Sequence, residues 1–208
     1  MEQKIRINMW RFLGMGNSFS FDKANPIAEM LMQSLNGSCR EIKIAGSIRR
    51  KAQYVKDIEL VASPVPYLDL FGGEGLDDEL LPLVSKMIEG DRLALRNKDG
   101  SIDVRSQVIQ ARSLKWGRKY IALVHKRSTI PVDLFIVRQP SNFSWQLIIR
   151  TGPKEFSKAM MIRAKQKGFE AHDGALWVPG REYPENFQSE EEIFKTLEMD
   201  YIEPNRRK

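Results

Sequence analysis

Two short apolar runs in this 208-residue chain carry acids at positions where a strand is usually apolar, and nothing else in the sequence restricts the fold as much. In "VKDIELVAS" Asp57 and Glu59 alternate with Ile58 and Leu60, and in "IPVDLFIV" Asp133 stands alone among apolar neighbours. Residues two apart on a strand project to one face, about 6–7 Å from each other. Asp57 and Glu59 therefore point together, and Ile58 and Leu60 supply the opposite face. An isolated D-x-E is most often the wet side of an edge strand, and a single Asp in an apolar strand is most often structural. The stretch "AGSIRR" about ten residues upstream shifts that balance. Gly46 and Ser47 offer backbone N–H groups and a hydroxyl to a phosphate, and Arg49 and Arg50 can clamp its oxygens. Carboxylates crowded on one face need positive charge, which hard divalent cations such as Mg²⁺ supply. Three acids on neighbouring strands would carry two such ions roughly 3.5–4 Å apart.

The rest of the chain supports a layered α+β fold. "DKANPIAEMLMQSLNG" has Ile27, Met30, Leu31 and Leu35 at helical spacing and Gly37 as a stop. "EIKIAG" and "VKDIELVAS" predict strands, the segment 64–73 is broken by prolines and glycines, and "LDDELLPLVSKMIEG" predicts a helix with Leu80, Leu83, Val84 and Met87 on one side. A hairpin is expected around Asp99 and Gly100, followed by strands in "KYIALVHK" and "IPVDLFIVR". The resulting sheet is mixed or antiparallel and flanked by helices. A composition shift at "QPSNFSW" sets a boundary near Pro140, giving units over 1–140 and 141–208, with 1–20 an unassigned arm. The second unit reads as the basic helix "KEFSKAMMIRAKQKG", a short hairpin in "FEAHDGALWV" and the helix "SEEEIFKTLEM", where Ser189 and Glu192 fit a capping box.

Composition excludes more than it selects. One cysteine, Cys39, rules out an internal disulfide framework and a Cys-based zinc site, and two histidines leave little for His-based metal binding. No continuous apolar h-region opens the chain and no window approaches the ~18 apolar residues of a membrane span, so an intracellular monomer with no membrane partner is expected. The 33 Lys and Arg against 27 Asp and Glu leave a formal charge of +6, which favours polyanionic partners only weakly. Distribution says more. Residues 104–132 hold seven basic side chains and no acid: Arg105, Arg112, Lys115, Arg118, Lys119, Lys126 and Arg127. The helix after Gly152 adds Lys154, Lys158, Arg163, Lys165 and Lys167 against Glu155 alone. Such runs are often solvated faces; beside an acid site they read as a track for phosphates. Trp116, Tyr120, Trp145 and Trp177 are candidates for base stacking, although aromatic side chains in small domains are more often core, and His125 and His172 read as exposed.

Taken together, "AGSIRR", "DIELV" and "IPVDLFIV" resemble the Gly-Ser-x-Arg-Arg phosphate motif, the paired-carboxylate strand and the third-acid strand of the DNA polymerase X family. The resemblance continues through "RTGPKEFSKAMMIRAKQKGF" and "EEEIFKTLEMDYIEPNRR", which are similar to the family's thumb, so that it spans about residues 22–207. It implies a nucleotidyltransferase palm followed by a small α+β thumb, without the family's lyase and fingers domains. It also implies transfer of a nucleotide from a dNTP to the 3′-end of gapped or primer-template DNA, with pyrophosphate released and two Mg²⁺ ions, replaceable by Mn²⁺, as cofactors. Asp57 and Glu59 would then bind both ions, Asp133 the ion nearest the acceptor hydroxyl, and Ser47 and Arg50 the triphosphate. By the same resemblance Gly46, Arg49, Arg150, Thr151, Gly152, Ser157 and Lys158 border the nucleotide, and Arg112, Lys115, Arg118, Lys119, Lys126, Arg127, Lys154 and Arg163 face DNA. The chain departs from the pattern at Ile149 and Arg150, where the family usually has an aromatic pair, at Ser157, where it has an asparagine, and near Met161, where it has a template-contacting arginine. Template-independent transfer, transfer to a non-DNA acceptor, and a non-catalytic DNA-binding module stay open as alternatives.

Overall fold

The computed structural model of the protein describes residues 18–68, 74–97 and 117–208. Its centre is a five-stranded mixed sheet in the order β2-β4-β9-β8-β7, formed by Cys39–Ile44, Ile58–Pro64, Ile130–Ile136, Tyr120–His125 and Leu93–Leu95. Among the described strands of that sheet, β4 and β9 run parallel and the other neighbouring pairs are antiparallel. Alternation along these strands decides the two faces. Ile58, Leu60 and Ala62 of β4 and Val132, Leu134 and Ile136 of β9 enter the main core, beneath α1 (Phe21–Asn36) and α3 (Leu80–Glu89). Glu59, Val61, Asp133 and Phe135 belong to the opposite face. There Val61 and Phe135 pack with Leu147 of α4 (Phe143–Thr151).

The helix α1 buries Ala24, Ala28, Leu31 and Leu35, while Met30 is exposed. The expected apolar stripe is therefore rotated, because the two alanines let the helix backbone approach the sheet. The helix expected from residue 76 begins at Leu80 instead. Residues Glu74–Asp78 form β6, antiparallel to β5 (Pro66–Leu68), where the sequence presented a broken segment over 64–73 and then the start of the helix. Asp78 explains the switch: its Oδ1 accepts the Leu80 and Leu81 amides at 3.0 and 3.2 Å, which caps α3. The hairpin expected around Asp99 and Gly100 lies outside the described residues. Two further strands, β1 (Phe19–Ser20) and β3 (Tyr54–Val55), pair with each other beside α1.

The C-terminal third builds a second core. α4, α5 (Lys154–Gln166), the β10–β11 hairpin (Glu170–His172 with Ala175–Trp177) and α6 (Glu190–Thr196) gather Trp145, Ile148, Phe156, Leu176, Ile193 and Phe194. Trp145 is 2% exposed and so belongs to this core, not to a stacking surface. The capping of α6 follows its sequence: Ser189 Oγ accepts the Glu192 amide at 3.1 Å, and Glu192 reaches back to the Gln188 amide at 2.8 Å. Helix α4 joins the second core to the far face of the sheet: Leu147 packs with Ala45, Val61 and Val137 there, while Trp145 and Ile148 enter the second core. No described helix is long and apolar enough to cross a membrane.

Candidate active site

The parallel register of β4 and β9 sets Glu59 directly beside Asp133, on strands about 4.8 Å apart, with both side chains on the face away from the main core. Asp57 precedes β4 by one residue. Burial above all, followed by the charges of Asp57 and Asp133, pushes the Glu59 carboxyl from 4.5 up to about 8. Burial and Asp133 likewise raise Asp57, against the opposing pull of Arg96, Lys56 and Arg50. The charge of Asp133 thus reaches both Asp57 and Glu59, and that of Asp57 reaches Glu59.

The Gly-Ser turn folds over this cluster. Residues Gly46–Arg49 make a single helical turn, α2, between β2 and β3, and the Ala45 amide donates to the Glu59 carbonyl at 2.8 Å. Gly46 has a φ of +61°, and a Cβ there would overlap the Glu59 carboxylate. Only glycine satisfies both conditions. Arg50 donates to the Thr151 carbonyl; burial lowers its pKa while Glu59 and Asp57 draw it back up.

Arg49 departs from the expected role on a phosphate. Its guanidinium binds both oxygens of Glu190 at 2.6 and 2.9 Å and Thr151 Oγ1 at 2.8 Å. Glu190 also receives Arg207 at 2.9 Å and the Tyr201 hydroxyl at 3.3 Å. Burial pushes Glu190 up, but the hydrogen bonds from Arg49 and Arg207 outweigh it and hold the carboxyl below its ordinary range. The turn is therefore tied to α6 and to the chain's penultimate residue.

Two residues beside the acids carry no motif in the sequence. Tyr120 donates to Asp133 Oδ1 at 2.8 Å, and Arg96, just after β7, pairs with the same oxygen. Burial and the hydrogen bond to Asp133 raise the Tyr120 pKa to about 12, so the hydroxyl stays protonated as a donor. Arg150 lies 4.0 Å over the Phe135 ring, which itself stacks on Tyr120 at 5.3 Å. Its pKa is lowered by burial, against the attraction of Glu59 and Asp133.

Neighbouring carboxylates whose charges raise the Glu59 pKa are the donor chemistry a hard divalent ion would neutralise, and in that respect the acids fit Mg²⁺. Among the described residues, however, no three His, Cys, Asp or Glu side chains form a group arranged to hold a metal ion. Asp133 is engaged by Arg96 and Tyr120 instead.

The remaining predicted residues divide. Thr151 is fully buried at the Arg49 contact, and a Cβ on Gly152, whose φ is +64°, would come within 3.3 Å of Arg50 Nη1. Ser157 Oγ donates to the Ile149 carbonyl at 2.8 Å, bridging the junction of α4 and α5. Lys154 and Lys158 are exposed on α5, the latter 3.4 Å from Glu155. Arg163 turns inward, donating to the Leu197 carbonyl at 2.8 Å and to that of Glu198, so it caps the end of α6 rather than facing open solvent. Lys119 pairs with Asp173 at 3.1 Å and Lys126 with Asp91, while Arg118 and Arg127 are exposed. Arg112, Lys115 and Trp116 lie outside the described residues. His172 stacks on Trp177 at 4.8 Å, and His125 is half-buried with its Nδ1 2.8 Å from Ser128 Oγ, not exposed. A groove of about 670 Å³ opens at the far end of β4, near Pro64, Asp78, Arg138 and Asn142; none of the three acids lines it.

Residues 146–208 match the family model described as DNA polymerase beta thumb. That third of the chain is thus similar to a DNA polymerase beta thumb, a likeness that supports a polymerase beta-like relationship and implies DNA binding. No curated protein matches the chain.

Proposed function

We propose that the chain is a metal-dependent DNA nucleotidyltransferase with its palm in residues 1–140 and its thumb in 141–208, extending a DNA 3′-end in short gaps or on primers. One observation carries the reading: Glu59 and Asp133 lie in register on parallel strands, with Gly46 folded against the Glu59 carboxylate. The thumb match over 146–208 adds independent support for DNA as the partner.

In the proposed reaction the acceptor 3′-oxygen forms a bond to the α-phosphorus of the dNTP, the bond to pyrophosphate breaks, and the hydroxyl proton leaves to solvent. Bound at Asp57, Glu59 and Asp133, two Mg²⁺ or Mn²⁺ ions would activate the hydroxyl and neutralise the charge that grows on the pyrophosphate. Ser47 and Arg50 bind the triphosphate oxygens. Arg49 holds their turn in place through Glu190 and Thr151. Arg150, Thr151, Gly152 and Lys158 border the nucleotide, and Lys154 with the exposed basic residues near β8 contacts backbone phosphates, which gives affinity without sequence choice.

The test is primer extension by purified protein with Mg²⁺ or Mn²⁺ on gapped, recessed, blunt and single-stranded DNA, using dNTPs and rNTPs. Templated dNTP addition on gapped or recessed substrates is expected. Addition on single strands alone, or of rNTPs alone, would move the reading to a template-independent or non-DNA nucleotidyltransferase. Tight DNA binding with no turnover under either metal would leave a binding module.

A further inference from the structure

The third acid of the site is already occupied by a cation. Asp133 Oδ1 accepts from both Arg96 and Tyr120, and Arg96 Nη2 is also 3.4 Å from the Tyr120 hydroxyl. The Arg96 and Asp133 side chains are each 16% exposed. Among the described residues, Arg96 Nε is buried without a hydrogen-bond partner. An unpaired buried donor is unfavourable, and a pair kept only for folding would gain by satisfying it. Among the described residues, the side-chain partners of this guanidinium are Asp133 and Tyr120. The absence of a three-acid ligand group among the described residues goes with the same contact, since Asp133 is turned to Arg96.

We propose that Arg96 is a resident counter-cation that stands in for a divalent ion on Asp133. The substrate-free protein then takes up one divalent ion, through Asp57 and Glu59, and gains a second only when Arg96 leaves Asp133. A displaced guanidinium needs a new anion, and a triphosphate or a DNA phosphate provides one of matching geometry. Filling of the second site is in this way coupled to the arrival of phosphate. The proposal rests on the two-ion reading above and adds the order in which the ions bind.

Mn²⁺ titration of the full chain, followed by the electron paramagnetic resonance of the free ion, tests it without turnover. The wild type is expected to bind one ion, and Arg96→Met a second at least about tenfold more tightly than the wild type does. Asp133→Asn in the Arg96→Met background should remove that second ion. Tyr120→Phe keeps the ring on Phe135, takes one donor from Asp133 and should tighten the second ion by a smaller factor; it decides the matter if Arg96→Met does not fold. Two equivalent ions on the substrate-free wild type overturn the proposal, as does an unchanged second site in both Arg96→Met and Tyr120→Phe. Primer extension by the wild type, run in parallel, separates the two ideas. Its absence contradicts the polymerase reading and leaves the exchange at Asp133 to be judged on Mn²⁺ binding alone.

Discussion

Glu59 is held in a state that its own chemistry opposes. An ordinary glutamate ionises near 4.5, and this one near 8, so the metal-free fold retains a proton that the unfolded chain releases. The consequence for stability has a definite sign: the favourable contribution is complete below pH 4.5 and is lost as pH rises through about 8. Without divalent ions, the wild type is therefore expected to lose on the order of a few kcal/mol relative to Glu59→Gln between pH 5 and 9, measured by urea unfolding. A constant difference across that range would contradict the assignment. The same proton must leave before Glu59 can bind a cation, so Mg²⁺ should raise Tm more at pH 8 than at pH 6. Gly46 gives a second residue-scale expectation. Gly46→Ala places a methyl against the Glu59 carboxylate at a positive φ, and stability should fall by about 1–3 kcal/mol with nucleotide binding weakened.

At the scale of elements, the tie between α2 and α6 fixes where the turn sits. Glu190 binds Arg49 on one side and the fully buried Arg207 on the other, and the Arg207 guanidinium lies 5.1 Å over Phe156 and 5.6 Å over Phe194. Glu190→Gln leaves two guanidinium groups without their counter-charge and should cost about 3–5 kcal/mol in denaturant unfolding. A loss below about 1 kcal/mol would show the network to be dispensable. What the sequence revealed at this scale follows the reach of its signals. Alternation marked β2 and β4, apolar runs marked β8 and β9, and 3.6-residue spacing marked α1 and α3, because all these patterns are local. β6 escaped, since Asp77, Asp78 and Glu79 read as the acidic first turn of a helix when Asp78 is in fact its cap. The partnership of Arg49 with Glu190, 141 residues apart, and of Arg96 with Asp133, 37 apart, left no periodic trace. The three acids stood out because Glu59 and Asp133 interrupt apolar strands and Asp57 stands just ahead of one; the cation beside them did not, because a basic residue at a strand end is ordinary.

Over the whole molecule, α4 joins the C-terminal core to the sheet face opposite the main core, the face to which Glu59 and Asp133 belong. A basic exterior around an acidic centre suits a polyanion that delivers its reactive end to bound cations. DNA affinity should therefore fall steeply with salt, and Lys154→Ala with Lys158→Ala should reduce the slope of log K against log salt by about 2, with little sequence dependence. An unchanged slope would remove α5 from the DNA contact. The central claim concerns chemistry at the paired strands, and single-turnover extension of a gapped primer with Mg²⁺ tests it most directly. Asp133→Asn, checked by circular dichroism for an intact fold, is predicted to slow the step roughly 10³-fold while gapped DNA still binds. Extension at the wild-type rate by that variant would contradict the assignment of the acids.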